Sequence, residues 1–236
     1  MDMFPLWNSL RIAALSSVIV FFVGIFAAFY VSKLNRIVKG IIDVFLTLPL
    51  VLPPTVIGYF LLITVGARRP LGMFLAEFGI QFVMTWYGGV LTASVIAFPL
   101  MYRTARGAFE SFDETLAFSG KTLGLSNSYI FWRIRMPACK QGILAGLVLA
   151  FARALGEFGA TTMLIGYTPG RTATISTTVF NLWRIGDDHG ALFWVMINLG
   201  ISTVVLLAVN MLERKNNKIR SPRRRQKKTI DKKAVT

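Results

Sequence analysis

The chain has 236 residues, of which 54% are hydrophobic and 16% are charged, and it contains 19 phenylalanines. Soluble domains of this length seldom reach such an apolar content, so the composition argues against an ordinary soluble protein and indicates one of the lipid bilayer. The net charge of +15 raises nucleic-acid binding as an alternative. Eleven of the 26 basic residues lie between 213 and 236, however, and a basic segment directly after a membrane span is typical of topology and of anionic lipid headgroups. We therefore expect no nucleic-acid partner.

Apolar runs long enough to cross a hydrocarbon core of roughly 30 Å predict the fold class. Four runs are uncharged and a fifth, 138–167, carries Arg153 and Glu157 in its interior; the spans are 12–32, 44–67, 78–102, 138–167 and 190–212. The sequence thus predicts an all-α, polytopic integral membrane protein with about five transmembrane helices. The last segment, 213–236, has the composition of a basic cytoplasmic tail that is disordered in isolation.

The distribution of Lys and Arg predicts the orientation, because basic residues near the ends of spans are retained on the cytoplasmic side. With the N-terminus outside and the C-terminus cytoplasmic, the inner segments hold twenty basic residues and the outer segments hold five. The opposite orientation would invert this bias. We therefore expect a multi-pass protein of the plasma (inner) membrane. The outer segment 168–190 either contacts an external protein, forms a short extra membrane helix, or is a plain loop.

Few catalytic or metal-binding side chains are available. The chain has one cysteine, Cys139, and one histidine, His189, which excludes an intrachain disulfide and the usual zinc sites. The string SGKT at 119–122 ends like a phosphate-binding loop, but the glycine required at position 115 is Thr115 and no strand precedes it. We expect the chain to have no catalytic residues and to bind no metal, nucleotide or other cofactor.

Two of the predicted spans have features of a solute pathway. The span 44–67 contains three prolines, among them Pro53 and Pro54, so it must kink or unwind, either to line a pathway or simply to pack as a bent helix. Arg153 and Glu157 lie inside the fifth span, and their four-residue spacing predicts an ion pair on one helix face. This pair either lines or gates a polar path or holds helices in register, and we favour a structural or gating role over direct contact with solute.

The segment 114–137, ETLAFSGKTLGLSNSYIFWRIRMP, forms a polar and basic island between apolar runs. Ser111 or Asp113 is a candidate cap for a helix over 114–123, and Gly124 suits the left-handed residue that ends it. Ser126 can cap a second helix toward Arg135.

Pro137 is expected to stop this second helix before the next span. Two short helices joined at a glycine predict a compact knob that presents Phe118, Leu123 and Leu125 to a groove on another protein.

Three segments, together with most of the chain up to about residue 212, resemble the permeases of molybdate ABC importers. They are LPLVLPPTVIGYFLL at 48–62, KTLGLSNSYIFWRIRMP at 121–137 and FARALGEFGATTMLIGYTPGRT at 151–172. The spacing of Gly124, Ile134 and Pro137 is similar to that of many importer permeases, whereas the first and third segments resemble the molybdate branch more closely. Tungstate and sulfate permeases are near relatives, so these oxyanions stay as alternatives.

The resemblance implies a type I importer permease fold over 1–212. Two copies of the chain would form the pore, two cytoplasmic ATPase subunits that bind ATP and Mg would dock on the 114–137 loops, and an external binding protein would deliver the oxyanion. The residues it implies for ATPase coupling are Glu114, Phe118, Lys121, Thr122, Leu123, Gly124, Leu125, Ile134 and Pro137. Those implied for the translocation pathway or gate are Pro53, Pro54, Arg153, Glu157 and Thr161.

The chain departs from this family pattern at one position. The coupling motif usually begins with an acidic residue where this sequence has Phe118, and Glu114 and Asp113 lie a helical turn too early to replace it. We therefore expect docking to depend on shape and apolar contact more than on a charge pair. A secondary transporter or channel is the alternative class, but the inverted repeats or coupled intramembrane charges typical of one are not found.

Overall fold

The computed structural model describes residues 2–208 and 211, and the regular structure of this part of the chain is entirely helical. The helices are α1 (Phe4–Ser32), α2 (Arg36–Val51), α3 (Pro54–Val65), α4 (Pro70–Glu77), α5 (Trp86–Glu110), α6 (Glu114–Thr122), α7 (Asn127–Leu155), α8 (Gly159–Ile165), α9 (Ile175–Arg184) and α10 (Asp188–Ala208). The all-α prediction is therefore confirmed for these residues. The tail predicted at 213–236 lies outside them.

Helices α1, α5 and α7 form the main core, and small residues let them approach closely. A Cβ atom added to Gly24 of α1 would lie 2.8 Å from the Cγ of Met101 in α5. A Cβ atom added to Gly142 of α7 would lie 2.8 Å from the Cβ of Ala108, two turns further along α5. Close backbone approach replaces the hydrophobic effect as the source of helix association in lipid, so these glycines position the three helices.

Helix α1 buries polar residues and exposes large apolar ones. Ser16 and Ser17 are buried, and their hydroxyls donate hydrogen bonds of 2.7 and 2.6 Å to carbonyl oxygens one turn earlier. Phe22 and Phe26 are each 64% exposed. This inversion of the soluble pattern is expected where the surrounding medium is hydrocarbon, because internal hydrogen bonds satisfy the hydroxyls and lipid accepts the rings.

A polar network joins α2 to α5. Lys39 forms a 2.7 Å ion pair with Glu110. The Asp43 carboxylate accepts a hydrogen bond from the Tyr102 hydroxyl and forms an ion pair with Arg106. None of the residues of α2 is fully buried. Charged contacts therefore hold this peripheral helix against the core.

Helices α1, α7 and α10 are long and apolar enough to cross a bilayer, and α2 with α3 counts as a fourth span if the bent pair is one unit. The axes of α2 and α3 differ by 108°, so the predicted span 44–67 is two helices and not one. The predicted span 138–167 is also interrupted, between α7 and α8. The predicted span 78–102 coincides with a helix only from Trp86 onward, because α5 begins there and continues to Glu110.

The prediction that Pro137 ends a helix is wrong. Helix α7 runs without interruption from Asn127 to Leu155 and contains a π-helical segment at Ile130–Arg135. The N–H of Met136 donates to the carbonyl of Phe131, five residues earlier, so the chain is wound more widely just before the proline. Because Pro137 stands in the first turn that follows this segment, its missing N–H does not break the helix.

Gly58 provides a test of the packing of α3 against α8. A Cβ atom at Gly58 would lie 2.7 Å from the Cα of Ala160, which is backbone and cannot move aside freely. We expect Gly58→Ala to cost about 1–3 kcal/mol of stability and to lower the apparent melting temperature in detergent. Gly40→Ala is the matched control, because nothing lies within 4 Å of a Cβ there, and it should leave the melting temperature unchanged or slightly raised. Equal melting temperatures for the two variants would contradict this packing.

Candidate functional site

The segment 114–137 contains α6 and the first part of α7, joined at Gly124, so the predicted turn between two helices is confirmed although the second helix is not short. Asp113 caps α6, since its carboxylate accepts a 3.1 Å hydrogen bond from the N–H of Thr115. Gly124 has a φ of +77°, the left-handed conformation that ends α6. The Ser126 hydroxyl then accepts a 3.2 Å hydrogen bond from the N–H of Tyr129 and starts α7. The three local signals in the sequence are therefore confirmed.

An ion pair that the sequence analysis missed closes this segment. The guanidinium of Arg135 donates to both carboxylate oxygens of Glu114, over 2.8 and 2.7 Å. The Arg135 side chain is only 10% exposed and its guanidinium carbon lies 4.6 Å from the centre of the Phe112 ring. Bidentate pairs fix the relative orientation of their two planes, so this contact joins α6 rigidly to the beginning of α7. Glu114 therefore has a partner inside the chain.

The residues assigned to coupling divide into outward-facing and inward-facing groups. The outward-facing side chains belong to Phe118, Lys121, Thr122 and Leu123, of which Phe118 is 63% and Leu123 is 78% exposed. Leu125 is half-buried and packs against the main core, which corrects the expectation that it is available to a partner. Ile134 is also half-buried there, and Pro137 lies on the exposed surface.

Lys121 and Thr122 lie in the last turn of α6. The Thr122 hydroxyl donates to the carbonyl of Phe118 one turn earlier. The string SGKT therefore belongs to a helix and has no resemblance to a glycine-rich loop that follows a strand, which agrees with the sequence analysis. No group of three or more potential metal ligands occurs among residues 2–208 and 211.

The two helix breaks lie against each other. Pro53 and Pro54 stand at the bend between α2 and α3, and Gly159 begins α8 after the break that follows α7. A Cβ atom on Gly159 would lie 3.0 Å from the Cβ of Pro54. Four helix ends thus meet at one place, although the two breaks are separated by about a hundred residues in the sequence.

Glu157 connects the helices on both sides of the second break. Its Oε2 accepts a 2.8 Å hydrogen bond from Arg153 Nη1, and its Oε1 accepts a 2.8 Å hydrogen bond from the N–H of Ala160 in the first turn of α8. The predicted ion pair is therefore confirmed. The Glu157 side chain is 2% exposed whereas that of Arg153 is 31% exposed, so the guanidinium is the accessible member of the pair.

Thr161 lies in the interior, between α8 and α5. It is 2% exposed, and its hydroxyl lies 3.3 Å from that of Thr92. The structure thus brings only some of the predicted pathway residues together. Pro54 lies against the break beside Glu157, whereas Thr161 faces α5.

Comparison with known proteins identifies relatives over nearly the whole chain. Residues 20–218 match the model of the family described as binding-protein-dependent transport system inner membrane component. The chain is 39% identical over 216 residues to the molybdenum transport system permease protein ModB of Escherichia coli K12, an alignment that covers 89% of this chain and 94% of that protein. It is 37% identical over 197 residues to ModB of Haemophilus influenzae, with coverage of 83% and 86%.

Solved structures of ABC transporters share the fold. A bacterial ABC transporter that imports the acidic polysaccharide alginate matches with a TM-score of 0.71 and 18% identity, over 90% of this chain and 79% of that one. The inward-facing MetNI methionine ABC transporter matches with a TM-score of 0.68 and 11% identity, over 89% and 94%. Taken with the extent of the family match and the identity to the bacterial permeases, these likenesses show that the chain belongs to the family of binding-protein-dependent transport system inner membrane components.

Proposed function

We propose that this chain is the permease subunit of an ATP-driven importer that carries molybdate across the inner membrane. Molybdate is proposed as the substrate because the sequence is 33–39% identical to permeases named for molybdenum transport in Escherichia coli, Haemophilus influenzae and Bacillus subtilis. Tungstate and sulfate are the alternatives, because each is also a tetrahedral oxyanion that carries two negative charges.

The proposed partners are a cytoplasmic ATPase, an external binding protein and a second copy of the chain. The family description itself names the binding protein. We propose that the ATPase contacts the outward-facing side chains of α6 and the turn after it, where Phe118, Thr122 and Leu123 present an exposed and mainly apolar surface. Because Glu114 is engaged by Arg135, apolar contact is the main source of affinity in this proposal.

The proposed topology has five spans, with the N-terminus outside and the C-terminus cytoplasmic. It requires α5 to cross the membrane together with α1, α7 and α10 and with the bent pair formed by α2 and α3. Supporting this, α5 packs against both α1 and α7, and Thr92 and Ala97 near its middle are buried. The concentration of Lys and Arg in 103–140 and in the C-terminal segment supports the orientation.

Helix α7 is the feature that carries the proposed mechanism. Its first turns hold the ion pair of Arg135 with Glu114, and its last turn holds Arg153, which pairs with Glu157 at the facing breaks. Displacement of the loop by the ATPase would therefore be transmitted along one helix to the place where Pro53 and Pro54 interrupt α2 and α3. We propose that these prolines, Arg153, Glu157 and Thr161 form or adjust the gate between two states of the pore.

Transport by the reconstituted complex tests the function directly. We expect proteoliposomes that contain the chain, its ATPase and its binding protein to take up labelled molybdate only with ATP. Unlabelled tungstate and sulfate, added in excess, distinguish the three substrates by their competition. Uptake that persists with a hydrolysis-deficient ATPase would contradict an ATP-driven importer and favour a secondary transporter or channel.

Phe118→Ala tests the docking surface. Removal of an exposed aromatic anchor at an interface costs on the order of 2 kcal/mol, so we expect affinity for the ATPase to fall about 30-fold. Binding of the purified ATPase to the permease in nanodiscs measures this. Phe78→Ala is the matched control, because Phe78 is 67% exposed and follows α4, outside the coupling segment. An affinity that Phe118→Ala leaves unchanged would remove Phe118 from the interface.

Glu157→Gln tests the gate. The amide oxygen can still accept from the N–H of Ala160, whereas the charge that balances Arg153 is lost. We expect uptake to fall about tenfold or more while the yield of assembled complex changes less than about twofold. Glu77→Gln, which changes an exposed carboxylate at the end of α4, is the control. Unchanged uptake by Glu157→Gln would exclude a gating role, and equal losses of uptake and assembly would assign the pair to structure alone.

A further inference from the structure

A groove with a volume of about 1170 Å³ lies between the end of α1, helix α6 and the beginning of α7. Its walls are rich in aromatic residues, which include Phe22, Phe26, Phe29, Tyr30, Phe118 and Trp132. Most of these rings are exposed, Trp132 by 60% and Tyr30 by 54%. The groove is therefore an accessible apolar surface, and the protein atoms of the described residues do not fill it.

Positive charge lies at one end of this groove. Three basic side chains line the groove, those of Lys33, Lys121 and Arg135. Two carboxylates line it as well, those of Glu110 and Glu114. Glu110 pairs with Lys39 and Glu114 pairs with Arg135, whereas neither Lys33 nor Lys121 forms a salt bridge within the described part of the chain. Among the described residues, two ammonium groups thus line the groove without a salt bridge.

The surroundings of Lys33 reinforce this imbalance. Its Nζ lies 3.7 Å from the centre of the Phe29 ring. Partial burial, followed by repulsion from the Arg135 guanidinium, lowers the pKa of Lys33 although Glu114 acts in the opposite direction. An added anion at this end would relieve the repulsion, so the local electrostatics favour a negatively charged ligand.

The dimensions of the aromatic wall fit one leaflet of a bilayer. Phe22, Phe26 and Tyr30 follow one another at four-residue intervals and therefore lie on one face of α1. The distance along the helix axis from Phe22 to Lys33 is about 16 Å at 1.5 Å per residue, close to half of the roughly 30 Å hydrocarbon thickness. A single acyl chain can lie along these rings while its headgroup reaches the two lysines.

We propose that this groove binds an anionic phospholipid, with its phosphate between Lys33 and Lys121 and an acyl chain along Phe22, Phe26 and Tyr30. Basic pockets between membrane helices on the cytoplasmic side are suited to anionic headgroups. A neutral lipid would match the walls but not the charges. The inference rests on the proposed orientation and on membrane insertion, and it is independent of which oxyanion is transported.

A lipid bound at this position would influence the coupling between the ATPase and the pore. It would contact α1 through Tyr30, α6 through Lys121 and α7 through Trp132, which are the three elements that meet at the coupling segment. Occupancy of the groove would therefore link the composition of the inner leaflet to the position of the loop that receives the ATPase.

Quenching of Trp132 fluorescence by brominated lipids tests the proposal. In the complex of the permease with its ATPase, every tryptophan other than Trp132 is replaced by phenylalanine, including those at 7, 86, 183 and 194 of this chain, and the complex is placed in nanodiscs of unlabelled phosphatidylcholine. Small equal amounts of acyl-chain-brominated phosphatidylglycerol or phosphatidylcholine are then added. We expect the anionic lipid to quench Trp132 at a lower mole fraction. Lys33→Gln should reduce this preference about fivefold, since each basic residue near an anionic surface contributes ~1 kcal/mol.

Arg36→Gln is the matched control, because Arg36 is an exposed basic residue at the start of α2 that does not line the groove. Native mass spectrometry of the complex with all five tryptophans provides a second measurement, and it should show more retained phosphatidylglycerol than phosphatidylcholine, with a loss in Lys33→Gln only.

Equal quenching by both lipids would overturn the anionic site. Absence of quenching would show that the ATPase or a second copy covers the groove, and equal effects of the two substitutions would reduce the preference to general surface charge.

Discussion

The buried carboxylate of Glu157 is the interaction on which the arrangement of the membrane helices depends. A helix that is interrupted at membrane depth leaves N–H and C=O groups without partners, and lipid offers none. Glu157 supplies one such partner to Ala160 and at the same time neutralises Arg153, so it joins α7 to α8 across their break. Because Gly159 then lies against Pro54, the break in α2 and α3 packs beside the first one. The two breaks thus pack against each other at Pro54 and Gly159, while Val51, Pro53 and Gly156 beside them are exposed.

A second ion pair has the corresponding role at the other end of α7. Glu114 and Arg135 hold α6 against the first turns of α7 through two parallel hydrogen bonds, in which the Arg135 side chain is buried and the Glu114 side chain is half exposed. The exposed side chains of Phe118 and Leu123 are thus carried on a rigid support and not on a flexible loop. In the proposed importer, force applied to these side chains would move α6 and α7 together.

Local signals in the sequence predicted these elements more reliably than contacts between distant residues. Caps at Asp113 and Ser126 and the pairing of Arg153 with Glu157 involve residues within four positions of each other, where backbone geometry alone determines proximity. The pairing of Glu114 with Arg135 depends on how two helices turn at Gly124, and the meeting of Pro54 with Gly159 depends on the whole fold, so neither could be predicted from spacing. Hydropathy predicts membrane spans and does not locate the ends of helices. It records where apolar residues are frequent, whereas the polar end of α5 is kept helical by its contacts with α2.

The correction at Pro137 has the largest consequence for how the chain can work. Had the helix ended there, the coupling segment would have been joined to the membrane part by a turn that could absorb motion. Instead, α7 has 29 residues and a length of about 43 Å, and it extends from the coupling segment to the facing breaks as one element. The π-helical turns at Ile130–Arg135 are the place where this element departs from regular geometry, and such segments frequently occur at functional sites. Since Arg135 lies at the end of these turns and anchors Glu114, a change in their winding would rotate α6 relative to the rest of α7. Continuity along α7 together with one adjustable segment beside the loop is the combination that mechanical coupling between an ATPase and a gate requires.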